Sequence, residues 1–316
     1  MYDGSRCCVL EDGKTSDWFE VKSGVKQGGV MSGFLFIIIV DWIMRNTNNR
    51  NRDIRWKFTS RLDDLALLSS RLADLQEKTE RLHTVAKYTV LNINAKKTMT
   101  MRMNCKTNQK VKIDNKEVED TDSFLYLGAT MDKTGGTEFD ITRRLGLARS
   151  AFSALNKIWK SSKFKTDTKL RLFNTNVISV LLYCAELWRT TKKDEERLDT
   201  FQRKCLRRIL NTYWPEKISN DDLYRWTNTI LLSISIKVRR WRWIGHVLRR
   251  NNNRNIKIAL TWTPEGKRRT GSPRNTWRRT VESERNNLGW TTWQRAEVVA
   301  ADRSRWRGML VGLKSP

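Results

Sequence analysis

The chain has 316 residues, 61 of them Lys or Arg against 34 Asp or Glu, a formal net charge of +27. Fourteen Trp and ten Phe in a 39% hydrophobic sequence exclude a solvated disordered polymer, and five scattered Cys exclude a disulfide scaffold and read as reduced intracellular thiols. The longest apolar run, residues 34–40, is far short of the roughly 20 residues a membrane span needs, and the first residues lack the charged-then-apolar order of a signal peptide.

In chain order, residues 7–10 and 18–21 read as two short strands around the turn-prone stretch 11–14. A glycine-rich bend at 23–29 precedes the apolar segment 30–44, too long for a typical strand and read as a buried helix. A polar loop at 46–52 leads to strands 54–58 and 65–68, joined by a tight turn that carries Asp63 and Asp64. Residues 71–89 place Leu72, Leu75, Leu82, Val85 and Ala86 at helical spacing, and 91–94 and 98–103 read as further strands. This succession predicts a small α+β domain over residues 1–135.

Beyond Gly135-Gly136 the periodicity turns helical, over 138–160, 166–190 and 194–212, with Trp214-Pro215 as the stop. Residues 136–215 are therefore expected to form one helical region. Residues 216–316 form another, with a basic helix at 232–249, a loop at 264–274 and two short helices at 275–309 parted near Gly289. Residues 201–316 hold 26 basic and 8 acidic residues, net +18, and nine of the 14 Trp. Arg forks pair with phosphate oxygens, so this imbalance points to a nucleic-acid partner. The Trp residues are open to two readings, base stacking or core.

Asp63-Asp64 is the sharpest chemical signal. Adjacent carboxylates at a hairpin tip suit a hard divalent cation, although Asp also favours ordinary turns. Gln27-Gly28-Gly29 lies upstream, where glycine permits close backbone approach to a flat ligand. Asn94-Ala95-Lys96-Lys97-Thr98 and Phe124-Leu125-Tyr126-Leu127-Gly128 follow downstream. This order and spacing resemble the reverse transcriptases of non-LTR (LINE-like) retrotransposons. The likeness continues through 169–188, 204–210, 240–246 and 271–277.

The resemblance implies a truncated polymerase palm at 1–135, a helical thumb at 136–215, and a basic Trp-rich C-terminal region at 216–316. It implies that Asp63 and Asp64 hold catalytic Mg²⁺. Gln27, Gly28 and Lys97 would contact template and nucleotide, and Tyr126, Leu127 and Gly128 would abut the primer end. RNA, DNA and deoxynucleotides would be the partners, with no membrane and no disulfide-linked partner, in the nucleus or cytoplasm. For nucleic-acid contact the basic pairs and runs nominate Arg239, Arg240, Arg249, Arg250, Lys267, Arg268, Arg269, Arg274, Arg278 and Arg279. Gly271-Ser272-Pro273-Arg274 reads either as a flexible basic loop or as a minor-groove hook with Ser in place of the inserted Arg.

The family's fingers and the palm's first metal-binding Asp, which lies well before the Q-G bend, have no counterpart in the 26 residues ahead of Gln27. Gly33 stands where the family has Pro, and Leu62 where it has a small or aromatic residue. Two-metal phosphoryl chemistry needs carboxylates on both sides of the ions, so the expectation is nucleic-acid binding with little polymerase activity. The alternatives are a non-enzymatic RNA- or DNA-binding protein derived from such an element, or a reading frame with no maintained role. His83 and His246 sit on expected helices without Cys or acids at ligand spacing.

Overall fold

The computed structural model describes residues 6–8, 10–11, 14–20, 42, 65–69, 71–89, 91, 93–94, 96–103, 108–212, 218–252, 255–261 and 276–313. It is mixed helix and strand, compatible with the α+β expectation. The chain divides into two compact units, Met1–Asp122 and Ser123–Pro316, so the hairpin at 123–132 belongs with the helices that follow it.

In the first unit, β1 (Arg6–Cys7) pairs antiparallel with β4 (Phe19–Glu20), and β2 (Leu10–Glu11) pairs with β3 (Lys14–Thr15) inside it. This is the hairpin expected from the turn at 11–14. Trp42, the one described residue of the expected buried helix, is helical and 48% exposed. Residues 65–69 form no strand, which corrects the returning arm of the expected hairpin; its other arm and turn lie outside the described residues. The helix expected over 71–89 forms as α1 (Leu72–Tyr88), burying Thr79, Leu82 and Ala86 along one stripe.

Leu72 and Leu75 pack on Val111, Ile113 and Val118. Gln76 fixes the register by donating to the Lys112 carbonyl at 2.9 Å and accepting from the Lys112 amide at 2.8 Å. β5 (Met99–Thr100) lies parallel to β8 (Glu119–Asp120). Between them β6 (Lys112–Ile113) and β7 (Lys116–Glu117) close through Asp114-Asn115, both at positive φ, the turn that matches strand twist. Lys87, donating to Asp114, and the nearby His83 hold the Asp114 carboxyl below the usual range.

The second unit opens with β9 (Ser123–Tyr126) paired to β10 (Ala129–Asp132). The helix expected over 138–160 is broken into α2 (Glu138–Ala154) and α3 (Asn156–Lys160). At the break the Trp159 indole donates to the Phe152 carbonyl at 2.7 Å, which also accepts from the Leu155 amide, and stacks on the Phe152 ring. The next expected helix, 166–190, is cut shorter. It runs as α4 (Thr166–Leu172), a π-helical segment at Phe173–Ile178, and α5 (Ser179–Leu181). Thr175, Asn176 and Ser179 bond back to carbonyls three or four residues earlier, a competition that loosens the α pattern. Cys184 at φ +60° then ends the segment.

α6 (Lys192–Ile209) starts in a capping box formed by Thr191 and Asp194, worth about 1 kcal/mol. α7 (Asn220–Thr227) and α8 (Leu232–Leu248) follow. The first residues of α8 have no cap of their own. Instead Asp199 of α6 accepts from the Ser233 amide and hydroxyl, and Gln202 accepts from the Leu232 amide while donating to the Ile230 carbonyl. α9 (Asn255–Thr261), α10 (Trp277–Asn287), α11 (Trp293–Ala301) and α12 (Arg303–Gly312) complete the chain. The expected break at Gly289 is present, at φ +78°, but the stretch makes three helices because Asp302 ends one and caps the next. Two cores result, one around Leu145, Phe173, Leu198 and Leu206, the other around Trp241, Ile244, Val281 and Trp306.

Candidate nucleic-acid interface

Tyr126-Leu127-Gly128 forms the tip of the β9–β10 hairpin, with Leu127 at φ +48° and Gly128 at φ +81°. Leucine is unfavourable in that region, so the tip must be held from outside. Tyr183 donates its hydroxyl to the Leu127 carbonyl at 3.0 Å, and Arg144 and Arg143 donate to the Gly128 carbonyl. Arg144 also donates to the Val180 carbonyl at 3.3 Å and lies over the Tyr183 ring, 4.5 Å from its centre. A Cβ at Gly128 would press on that ring at 3.2 Å, which with its φ explains the glycine.

The hairpin tip and the 181–188 segment are thereby joined. The link of Arg143, Arg144 and Tyr183 to the hairpin tip has no local sequence signal, because it is tertiary. Leu125 and Leu127 remain at least half exposed beside this clamp. Leu127→Gly is expected to raise stability by about 1 kcal/mol by removing the strained side chain. Tyr183→Phe should lower it by about 1 kcal/mol through loss of one hydrogen bond, both read from urea denaturation midpoints.

Behind the hairpin, Asp140 is 3% exposed. One of its oxygens accepts from the Thr130 amide at 2.9 Å, the other from the Trp188 indole at 2.8 Å. This buried carboxylate anchors β10 to the 181–188 segment.

In the first unit, the segment ending in Lys97 and Thr98 is a turn built by Asn94. The Asn94 side-chain oxygen accepts from the amides of Lys96 and Lys97, and the Thr98 hydroxyl donates to the Asn94 carbonyl. Lys97 stands exposed just ahead of β5. Gln27, Gly28, Asp63, Asp64, Lys267, Arg268, Arg269 and Arg274 lie outside the described residues. Among the described residues no group of three or more His, Cys, Asp or Glu could hold a metal ion. The Cys205 thiol is pushed by burial up to about 12, and burial and then Glu186 raise that of Cys184, so neither is a thiolate nucleophile at neutral pH. No helix among the described residues is long and apolar enough to cross a membrane.

The basic helix α8 sorts its residues by face. Arg240 is 1% exposed, which corrects its nomination as a nucleic-acid contact. Its guanidinium pairs with Glu284 and donates to the Trp188 carbonyl at 3.0 Å. Burial pushes the Glu284 carboxyl up while Arg240 pulls it back. Trp241 is fully buried and donates to Glu284 at 2.8 Å, so of its two readings core is the one observed. Trp243 packs edge-on against Trp277, whose indole reaches back to the Glu186 carbonyl at 2.9 Å. Gly245 is where α12 crosses, and a Cβ there would overlap the Trp306 indole. Arg239, Arg250 and Arg279 are exposed, whereas Arg249 donates to the Ala300 carbonyl and Arg278 to that of Leu260.

Residues 4–131 match the family of reverse transcriptases (RNA-dependent DNA polymerases). That reverse-transcriptase match spans Gln27, Asp63, Asp64, Lys97 and the hairpin tip. Residues 151–183, from the end of α2 to Tyr183, match a domain of unknown function. The chain is also 25% identical over 251 residues to an uncharacterized transposon-derived protein of Caenorhabditis elegans, covering 76% of this chain and 84% of that relative.

Proposed function

We propose that this chain is part of the reverse transcriptase of a non-LTR (LINE-like) retrotransposon and works on RNA and DNA. The observation that carries the reading is the reverse-transcriptase match over residues 4–131. In this reading residues 1–135 are palm, 136–215 thumb and 216–316 a basic C-terminal region. Asp63 and Asp64 would hold Mg²⁺, Gln27, Gly28 and Lys97 face template and nucleotide, and the exposed side of Leu127 faces the primer. Deoxynucleotides are then the substrate class, and the location is nuclear or cytoplasmic. Two-metal phosphoryl transfer needs carboxylates on both sides of the ions, and one Asp pair supplies a single side.

Primer extension by the 316-residue polypeptide, with Mg²⁺ or Mn²⁺ and an RNA template, tests this. Oligonucleotide binding without extension is expected. Extension that Asp63→Asn abolishes would overturn the incomplete metal site, and absence of any binding would overturn the nucleic-acid reading itself.

A further inference from the structure

α8 and α12 enclose a groove of about 610 Å³ whose polar walls are cationic. α8 contributes Arg242, His246 and Arg249, spaced i, i+4, i+7 along one face, and α12 contributes Arg303 and Arg307 at i, i+4. The close crossing at Gly245 holds the two rows against each other, and the Trp306 indole locks it by donating to the Trp241 carbonyl at 3.2 Å. The floor is apolar, from Val238, Trp306 and Leu310.

Among the described residues no carboxylate lines the groove. Elsewhere in this unit four guanidinium groups are matched by carboxylates, Arg197 with Asp194, Arg203 with Glu196, Arg225 with Asp222 and Arg240 with Glu284. The nearby acids are committed. Asp302 accepts the amides of Ser304 and Arg305, and Glu297 pairs with Lys257. Gathering like charges around an apolar floor costs free energy unless an anion offsets it. Burial first, and the neighbouring Arg303 and Arg307 after it, lower the proton affinity of Arg249.

We propose that this groove binds the phosphate backbone of a nucleic-acid strand. The proposal rests on the nucleic-acid reading above and gives it a place. Four guanidinium groups exceed what one phosphate dianion neutralises, whereas a strand brings one negative charge per nucleotide. Trp306 is only 2% exposed, so its indole offers no stacking face and the contact reads charge rather than sequence. The residues that form it, apart from Arg249, stand outside the paired basic runs, and only the crossing of two helices distant in sequence assembles them.

The test is fluorescence anisotropy of the full chain with labelled oligonucleotides of roughly 20 nucleotides, single-stranded and duplex, from about 50 to 200 mM salt. The triple variant Arg242→Ala, Arg303→Ala, Arg307→Ala is compared with Lys157→Ala, Lys160→Ala, Arg171→Ala, three exposed cations elsewhere in the unit. The groove variant should bind on the order of ten- to a hundredfold more weakly at low salt on any sequence, with the log–log salt slope flattened by about 2, and the control should lose less than about threefold. Replacing the same three arginines by lysine should retain most of the slope, which separates lost charge from lost fold. If groove and control variants weaken binding equally, or the groove variant binds as the parent does, the groove is overturned while the nucleic-acid reading stands. If the parent chain binds nothing, both fall.

Discussion

Arg240→Ala is expected to cost about 3–5 kcal/mol of stability, because it leaves the Glu284 carboxylate buried without its cation. Glu284 then keeps the Trp241 indole as donor and the weaker pull of Lys237, and the Trp188 carbonyl loses the Arg240 donor. The loss should have a pH signature. Burial already raises the Glu284 carboxyl, with Arg240 opposing, so removing Arg240 raises it further. A carboxyl whose folded-state affinity for protons exceeds its unfolded one favours folding more as pH falls through the folded value. The deficit of the variant should therefore shrink as pH is lowered toward the ordinary carboxyl range. Urea denaturation across pH, followed by Trp fluorescence, measures this. An unchanged midpoint at neutral pH would refute the buried pair, and weakened oligonucleotide binding by a fully folded variant would restore Arg240 as a contact.

Asp140→Ala is the second large effect. It orphans two donors at once, the part-buried Thr130 amide and the buried Trp188 indole, at about 1–3 kcal/mol each, for a total of roughly 2–6 kcal/mol. Asp140→Asn keeps one acceptor oxygen and should cost about half as much. The hairpin that carries Tyr126, Leu127 and Gly128 should loosen with it, so hydrogen exchange at the Thr130 amide should quicken in Asp140→Ala before the α6 amides are affected. A loss below about 1 kcal/mol would show that water replaces the carboxylate without penalty.

Much of the chain's local structure was legible from spacing alone. α1 and α8 repeat apolar residues at helical intervals, and α6 adds a Thr–Asp capping box, so each forms close to its expected bounds. The breaks were not legible. A Trp159 indole taking a carbonyl at one break, and Thr, Asn and Ser side chains bonding back within 173–179 at the next, leave hydrophobic periodicity intact. The candidate site divided the same way. Asn94 and Gly128 carry local signals, an Asx-type turn and a left-handed tip, but the clamp from Arg144 and Tyr183 does not.

The sequence by itself determined the charge excess, the order of its family-like segments and the helical character of its C-terminal part, since these depend on composition and on neighbours a few positions apart. Which arginines are free to meet a phosphate was decided only by tertiary packing. Arg239, Arg240 and Arg242 share one short run of one helix. Yet Arg240 is buried against Glu284 and Trp188, Arg239 faces solvent, and Arg242 joins Arg303 and Arg307 some sixty residues on. Each residue turns about 100° around the helix axis, so adjacent positions meet different partners, and those partners are set by the helices packed on each face.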